Sequence, residues 1–276
     1  MGRVVEPEWL DELPPHDGRA MKSRTDIRRL NALMGHVHLM SGLLLKTGAH
    51  HRTCRIVDLG AGDGTFALRL IRRLEGLRRS EWIRRGCVRR FLERPNLEWL
   101  DRRLWAEWLH GFEPEPESKK LVLVERQQLV SEQTRLQFEK LGWRAQIVTA
   151  DVFEWLDQPC APSGTVLLAN LFLHHLQDDQ LRMLLRYAAA RGEVFAACEP
   201  RRSGFALTAS RLVGLVGCNE VSRHDAVVSV RAGFSGGELS SLWPQQIGWS
   251  LLEREAGLFS HCFLARRHET MQGAES

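Results

Sequence analysis

Nine residues, Val57-Asp58-Leu59-Gly60-Ala61-Gly62-Asp63-Gly64-Thr65, limit what this chain can fold into more than any other stretch. The apolar run Arg55–Leu59 reads as a strand, and helical spacing over Thr65–Leu74 reads as a helix beginning after the glycines. A strand that turns into a helix through glycine lets the backbone approach a ligand while the helix N–H groups point outward. The glycines stand at 60, 62 and 64. A dinucleotide fingerprint would place its third glycine at position 65, which is Thr65.

The chain on either side repeats the alternation. Strands are predicted over Leu121–Glu125, Gln146–Thr149, Thr165–Asn170 and Glu193–Cys198, and helices over Val130–Leu141 and Gln177–Ala190, with Gly142 ending the first. Near-continuous apolar strands between amphipathic helices imply a parallel sheet covered on both faces. The last third differs. A helix near Phe205–Val216 precedes Asp225–Val230, and Gly237–Leu242 reads as a short helix. Trp249–Glu255 and Phe259–Ala265 are joined only through Ala256-Gly257-Leu258, a connection so tight that it demands an antiparallel pair. Upstream, Ile27, Leu30, Leu33, Met34, Val37, Met40 and Leu44 predict one amphipathic helix over Thr25–Leu45, and the first twenty residues read as an arm or loop.

Charge distribution says more than the formal sum of +4. Between Arg69 and Arg103, twelve Arg face only Glu75, Glu81, Glu93, Glu98 and Asp101. The six Cys are scattered with no CxxC pair, which argues against a disulfide framework or a structural zinc site. No run approaches the ~18 apolar residues that span a bilayer. Met1–Pro7 has no apolar core of signal-peptide length, so the cytoplasm is the expected location.

Carboxylates recur at successive strand ends. Glu125 ends the second strand, where it can accept both hydroxyls of a ribose. Asp151 follows the third, placed to accept from an adenine amino group. With the glycine turn, these converge on a crevice at the carboxyl edge of the sheet. Either carboxylate taken alone could be a helix cap.

DLGAGDGT, LVLVERQ and TADVFEWL resemble the first three motifs of class I S-adenosylmethionine-dependent methyltransferases. The stretch Leu168–Leu176 (LANLFLHHL), with Ala197–Arg202 after the next helix, resembles the ubiquinone/menaquinone type. Arg223–Phe234 is similar to bacterial members of phenolic and polyketide natural-product pathways. The resemblance covers roughly residues 25–266. It implies a Rossmann-like α/β fold, seven-stranded and mostly parallel, whose last two strands form the antiparallel hairpin. It implies S-adenosyl-L-methionine as cofactor, held by Asp58, Gly60, Ala61, Gly62, Gly64, Glu125, Arg126, Asp151, Val152, Phe153 and Asn170. One departure is plain: the acidic residue of the second strand usually follows the glycine motif by ~20 residues. Here Gly64 and Glu125 are much further apart, so Leu77–Lys120 reads as an insertion.

His174 and His175 lie beyond the fourth strand, near where the resemblance places the transferred methyl group. Either is a candidate general base, the alternative being a capping or packing role. No metal ligands are expected. Pro159-Cys160 superficially resembles the nucleophile of RNA cytosine-5 methyltransferases but precedes the fourth strand, and an amino-methylating Asn/Asp-Pro-Pro-aromatic signature is absent at Asn170. Glu199, Arg201, Arg202, His224 and Asp225 either line an acceptor pocket or form structural ion pairs. The insertion holds Trp82, Trp99, Trp105 and Trp108 as well as most of the Arg excess. It reads as a helical addition packed on the domain, the rival being a nucleic-acid-binding arm.

The expected organisation is an arm and helix over 1–50, a methyltransferase domain over 51–268 with the basic insertion at 77–120, and a tail over 269–276. The expected reaction is methyl transfer to an O or C nucleophile of a small, phenolic or polyketide-like acceptor, with no nucleic-acid partner. An RNA-binding or RNA-methylating protein is the alternative, and a non-catalytic partner subunit a third.

Overall fold

The computed structural model describes residues 1–47, 55–93, 119–157, 164–244 and 248–268. Four strands of almost unbroken apolar sequence form its centre: β1 (Arg55–Leu59), β2 (Lys119–Glu125), β4 (Thr165–Asn170) and β5 (Val194–Pro200). Such strands must be covered on both faces, and they are. Successive side chains alternate between two cores, as the pleat requires. Val57, Val122, Leu167 and Phe195 pack on one side with Leu181, Leu184 and Leu185 of helix α7 (Asp178–Arg191) and Trp155 of α6 (Val152–Asp157). Ile56, Leu121, Val166 and Ala196 pack on the other with Met40 and Leu43 of α3 (His36–Thr47) and Leu70 and Ile71 of α4 (Thr65–Glu93).

The seven strands run in the order β3-β2-β1-β4-β5-β7-β6, with β3 at Trp143–Thr149, β6 at Trp249–Ala256 and β7 at Ser260–Arg267. β1 to β5 are parallel; β7 is antiparallel to both β5 and β6. The last hairpin therefore inserts its second strand into the sheet, and Gly257 turns it at a φ of 64°. The order reverses on either side of β1, so the carboxyl ends of β1 and β4 bound the crevice where ligands of such sheets bind.

Several elements differ from the sequence expectation. The single helix expected over Thr25–Leu45 is two, α2 (Gly18–Met34) and α3, because Gly35 adopts a left-handed φ of 68° and its N–H closes on Asn31 and Ala32 carbonyls. The arm before it contains a helical turn, α1 (Trp9–Glu12). The helix expected over Thr65–Leu74 continues to Glu93, since neither Gly76 nor Gly86 stops it and the next proline is Pro95. The proposed insertion thus begins inside α4. Its Trp99, Trp105 and Trp108 lie outside the described residues, as do Pro159-Cys160 and the tail.

The remaining helices are α5 (Glu132–Glu139), α8 (Gly204–Arg211), α9 (Glu220–Ala232) and α10 (Glu238–Leu242). Asp225–Val230 is the second half of α9. Among the described residues no helix is long and apolar enough to cross a membrane.

Candidate active site

Gly60, Gly62 and Gly64 all hold positive φ, at 70°, 56° and 75°, a region that L-residues enter only at a cost. Each serves a different end. A Cβ on Gly60 would stand 2.3 Å from the Phe172 ring, and one on Gly64 would press on Leu123 and Thr134. A Cβ on Gly62 would meet nothing within 4 Å, so this is where the backbone faces open space. The turn is tied to β2 by Gly60 and Ala61 N–H groups donating to the Val124 carbonyl. Asp63 caps α4 by accepting from the Thr65 N–H at 3.0 Å.

The open space is a cavity of about 490 Å³ at the carboxyl edge of the sheet. Its walls include Asp58, Gly60, Ala61, Gly62, Glu125, Arg126, Asp151, Val152, Phe153, Asn170, His174 and His175. Of the residues expected to bind cofactor, Gly64 alone does not line it. Glu125 accepts from the Gly62 N–H at 2.9 Å and the Gln127 N–H at 3.2 Å, which locks the glycine turn against the end of β2. Asp151 caps α6 through the Phe153 N–H at 2.8 Å, so the capping reading and a place on the cavity wall hold together. Burial, with the Glu125 charge adding to it, raises the Asp58 carboxyl to about 7.

Other wall residues come from the N-terminal helical segment, which was expected near the crevice but without any side chain assigned to it. Arg24, Ile27, Arg28 and Asn31 of α2 face the cavity, with Arg28 paired to Asp63 and Arg24 donating to Gln127. Buried His36 holds Asn170. Its Nδ1–H donates to Asn170 Oδ1 at 2.8 Å, and the Ser260 hydroxyl donates to its Nε2 at 2.8 Å. Burial lowers the His36 pKa, consistent with this neutral form. The signal available in sequence was only a His beside a glycine, too common to single out.

His174 and His175 form a short 3-10 turn after β4 with ring centroids 4.2 Å apart. Glu199, wholly buried, accepts from the backbone N–H groups of Phe172 and Leu173 at 3.0 Å and from His174 Nδ1 at 2.7 Å. On the other side of the ring, His174 Nε2 lies 3.4 Å from Glu8. Burial opposes a charge on His174, but hydrogen bonds and attraction from Glu199 and Glu8 outweigh it and raise its pKa to about 9. For Glu8 burial likewise works against ionisation and is outweighed by His175 and His174, which bring it down to about 2. His175 Nδ1 stands 3.4 Å from Asp11.

The N-terminal segment that delivers Glu8 and Asp11 is pinned at several points. Arg3 donates to the Leu176 carbonyl at 2.7 Å and pairs with Asp178 at 2.8 Å. The Trp9 and Leu10 N–H groups donate to Asp225 at 2.9 and 3.1 Å, and the Trp9 ring stacks on His224. Glu199, Arg201, Arg202, His224 and Asp225 are absent from the cavity wall. Arg202 instead pairs with Glu238 and donates to the Gly233 carbonyl, and Arg201 pairs with Glu255.

No family model matches the chain, and no curated protein matches it in sequence. Solved structures do match in fold. An O-methyltransferase family protein from Burkholderia thailandensis superposes with a TM-score of 0.53 at 15% identity over 92% of this chain. This chain spans 61% of that protein's length. The plantazolicin methyltransferase BpumL, in complex with SAH, gives 0.54 at 10% identity over 92% of both chains. The plantazolicin methyltransferase BamL, in complex with a triazolic desmethylPZN analog and SAH, gives 0.52 at 8% identity over 93% of this chain and 92% of its own. The chain therefore has the Rossmann-like methyltransferase fold, and its cavity sits at the switch point of that fold.

Proposed function

We propose that the protein transfers a methyl group from S-adenosyl-L-methionine to an O or C nucleophile of a small acceptor of phenolic or polyketide-like chemistry. The observation that carries this reading is the convergence of three strand ends on one cavity: the open backbone of Gly62 after β1, Glu125 at the end of β2 and Asp151 after β3. In this reading Gly60–Gly64 cradle the methionine portion and Glu125 accepts the ribose hydroxyls. Asp151 takes the adenine amino group, with Val152 and Phe153 against the ring. SAH, the demethylated donor, is bound in plantazolicin methyltransferase structures that share the fold, which supports the same ligand here. The acceptor enters from the side of His174, His175 and Glu8, where its hydroxyl or acidic carbon loses a proton to solvent as the methyl group is transferred. Methyl transfer itself needs in-line approach more than covalent help from the protein.

Titration calorimetry tests this directly. The protein should bind S-adenosylmethionine and SAH but not NAD. Glu125→Ala should lose about 1.5–3 kcal/mol of that affinity, the range for hydrogen bonds to a charged group. Unchanged affinity in the variant would remove Glu125 from the site; absence of SAH binding to the wild type would end the reading.

A further inference from the structure

Glu8, His174 and His175 each place one donor atom within 4.8 Å of the others, at the wall of the cavity. We propose that these three side chains bind a divalent first-row transition metal ion, of which zinc is the type, with one coordination position left open to the acceptor. The spacing fits. Two ligands about 2.0–2.1 Å from a tetrahedral zinc stand roughly 3.4 Å apart. The Glu8 to His174 Nε2 separation is 3.4 Å, long for the charge-assisted hydrogen bond that would otherwise join them, which runs about 2.7–2.9 Å.

The surroundings fit as well, because metal-binding imidazoles and carboxylates are themselves held by hydrogen-bond partners. Glu199 occupies His174 Nδ1 at 2.7 Å, which leaves Nε2 for the ion. Asp11 lies 3.4 Å from His175 Nδ1, close enough for its charge to orient the ring. The Ser229 hydroxyl donates to Glu8. Glu8 is fixed in turn by the pinned N-terminal segment, so the ligand does not depend on a loose arm. Two imidazoles and a carboxylate with an open fourth position is the donor set of a catalytic rather than a structural zinc site.

The site rests on geometry alone; its use rests on the methyl-transfer reading. An acceptor hydroxyl bound at the open position would lose its proton to solvent and be presented as an oxyanion. The O–C bond then forms as the S–C bond of the donor breaks, and SAH leaves.

The test uses the full chain, stripped with chelator and dialysed. Zinc is titrated by calorimetry and cobalt by visible absorption, and SAH is titrated on the same preparations. His174→Ala would leave Glu199 buried without its partner and is a poor probe, so Glu8→Gln and His175→Ala are the variants. We expect one zinc ion per chain, a tetrahedral cobalt spectrum, and affinity reduced by about 10–100-fold or more in each variant while SAH binding is retained. Absence of saturable one-to-one binding, or equal affinity in wild type and both variants, overturns the metal site and leaves an imidazolium between carboxylates. Zinc binding with no SAH binding would overturn the methyl-transfer reading and leave the metal site standing.

Discussion

Asp58 is a carboxyl that burial, aided by Glu125, lifts from an ordinary value near 3.8 to about 7. The folded state therefore holds this proton more tightly than the unfolded chain does. Between about pH 4 and 7 the native protein binds more protons, so rising pH weakens the fold through that window, and above it the full cost of the buried charge remains. Thermal melts at pH 5 and pH 8 should show the wild type losing more stability than Asp58→Asn; equal losses would mean the carboxyl is not the source. A cationic methyl donor would favour the ionised form, so its binding near pH 6 should release a proton. Calorimetry in two buffers of different ionisation enthalpy would reveal that release. At this scale the chain wrote Asp58, Glu125 and Asp151 legibly, because each lies in the last residues of a recognisable strand or just beyond it. Glu8, Arg24, Arg28 and His36 were not legible. They belong to helices or caps remote in sequence, and nothing in their neighbours says which way they face.

Elements were read best where periodicity and punctuation agreed. Gly142, at a φ of 78°, follows α5, and the Gly257 turn joins β6 to β7 as the short connection demanded. The failure at Gly35 is instructive. Apolar spacing continued across it from α2 into α3, so the pattern masked a break that only the left-handed residue produced. A Cβ there would meet nothing within 4 Å, so substitution tests backbone conformation alone. Gly35→Ala should cost about 1–2 kcal/mol through the left-handed penalty, and Gly35→Asn less. Chemical denaturation gives both values. Equal stability of all three proteins would mean that α2 and α3 reorient freely, without consequence for His36 or the Asn170 side chain it holds.

For the molecule as a whole, the basic run from Arg69 raises the question of a polyanionic partner. Its first part belongs to α4, whose Leu70, Ile71 and Leu74 are buried against the sheet. We expect no RNA-binding role. Neutralising the Arg between Leu77 and Gly111 should leave affinity for a structured RNA unchanged at physiological salt. Clear Arg-dependent, salt-sensitive binding would revive the nucleic-acid alternative. What the sequence by itself determined was local or periodic: the glycine turn, the buried parallel strands, the hairpin and the carboxylates at strand ends. Those follow from backbone sterics and from the two- and 3.6-residue periods of burial. Only the tertiary structure decided that Glu8 meets His174, that His36 holds Asn170 and that α2 walls the cavity. The first two are contacts across more than a hundred residues. They depend on how packed layers bring distant polar groups together where each must find a partner, and no local pattern encodes that.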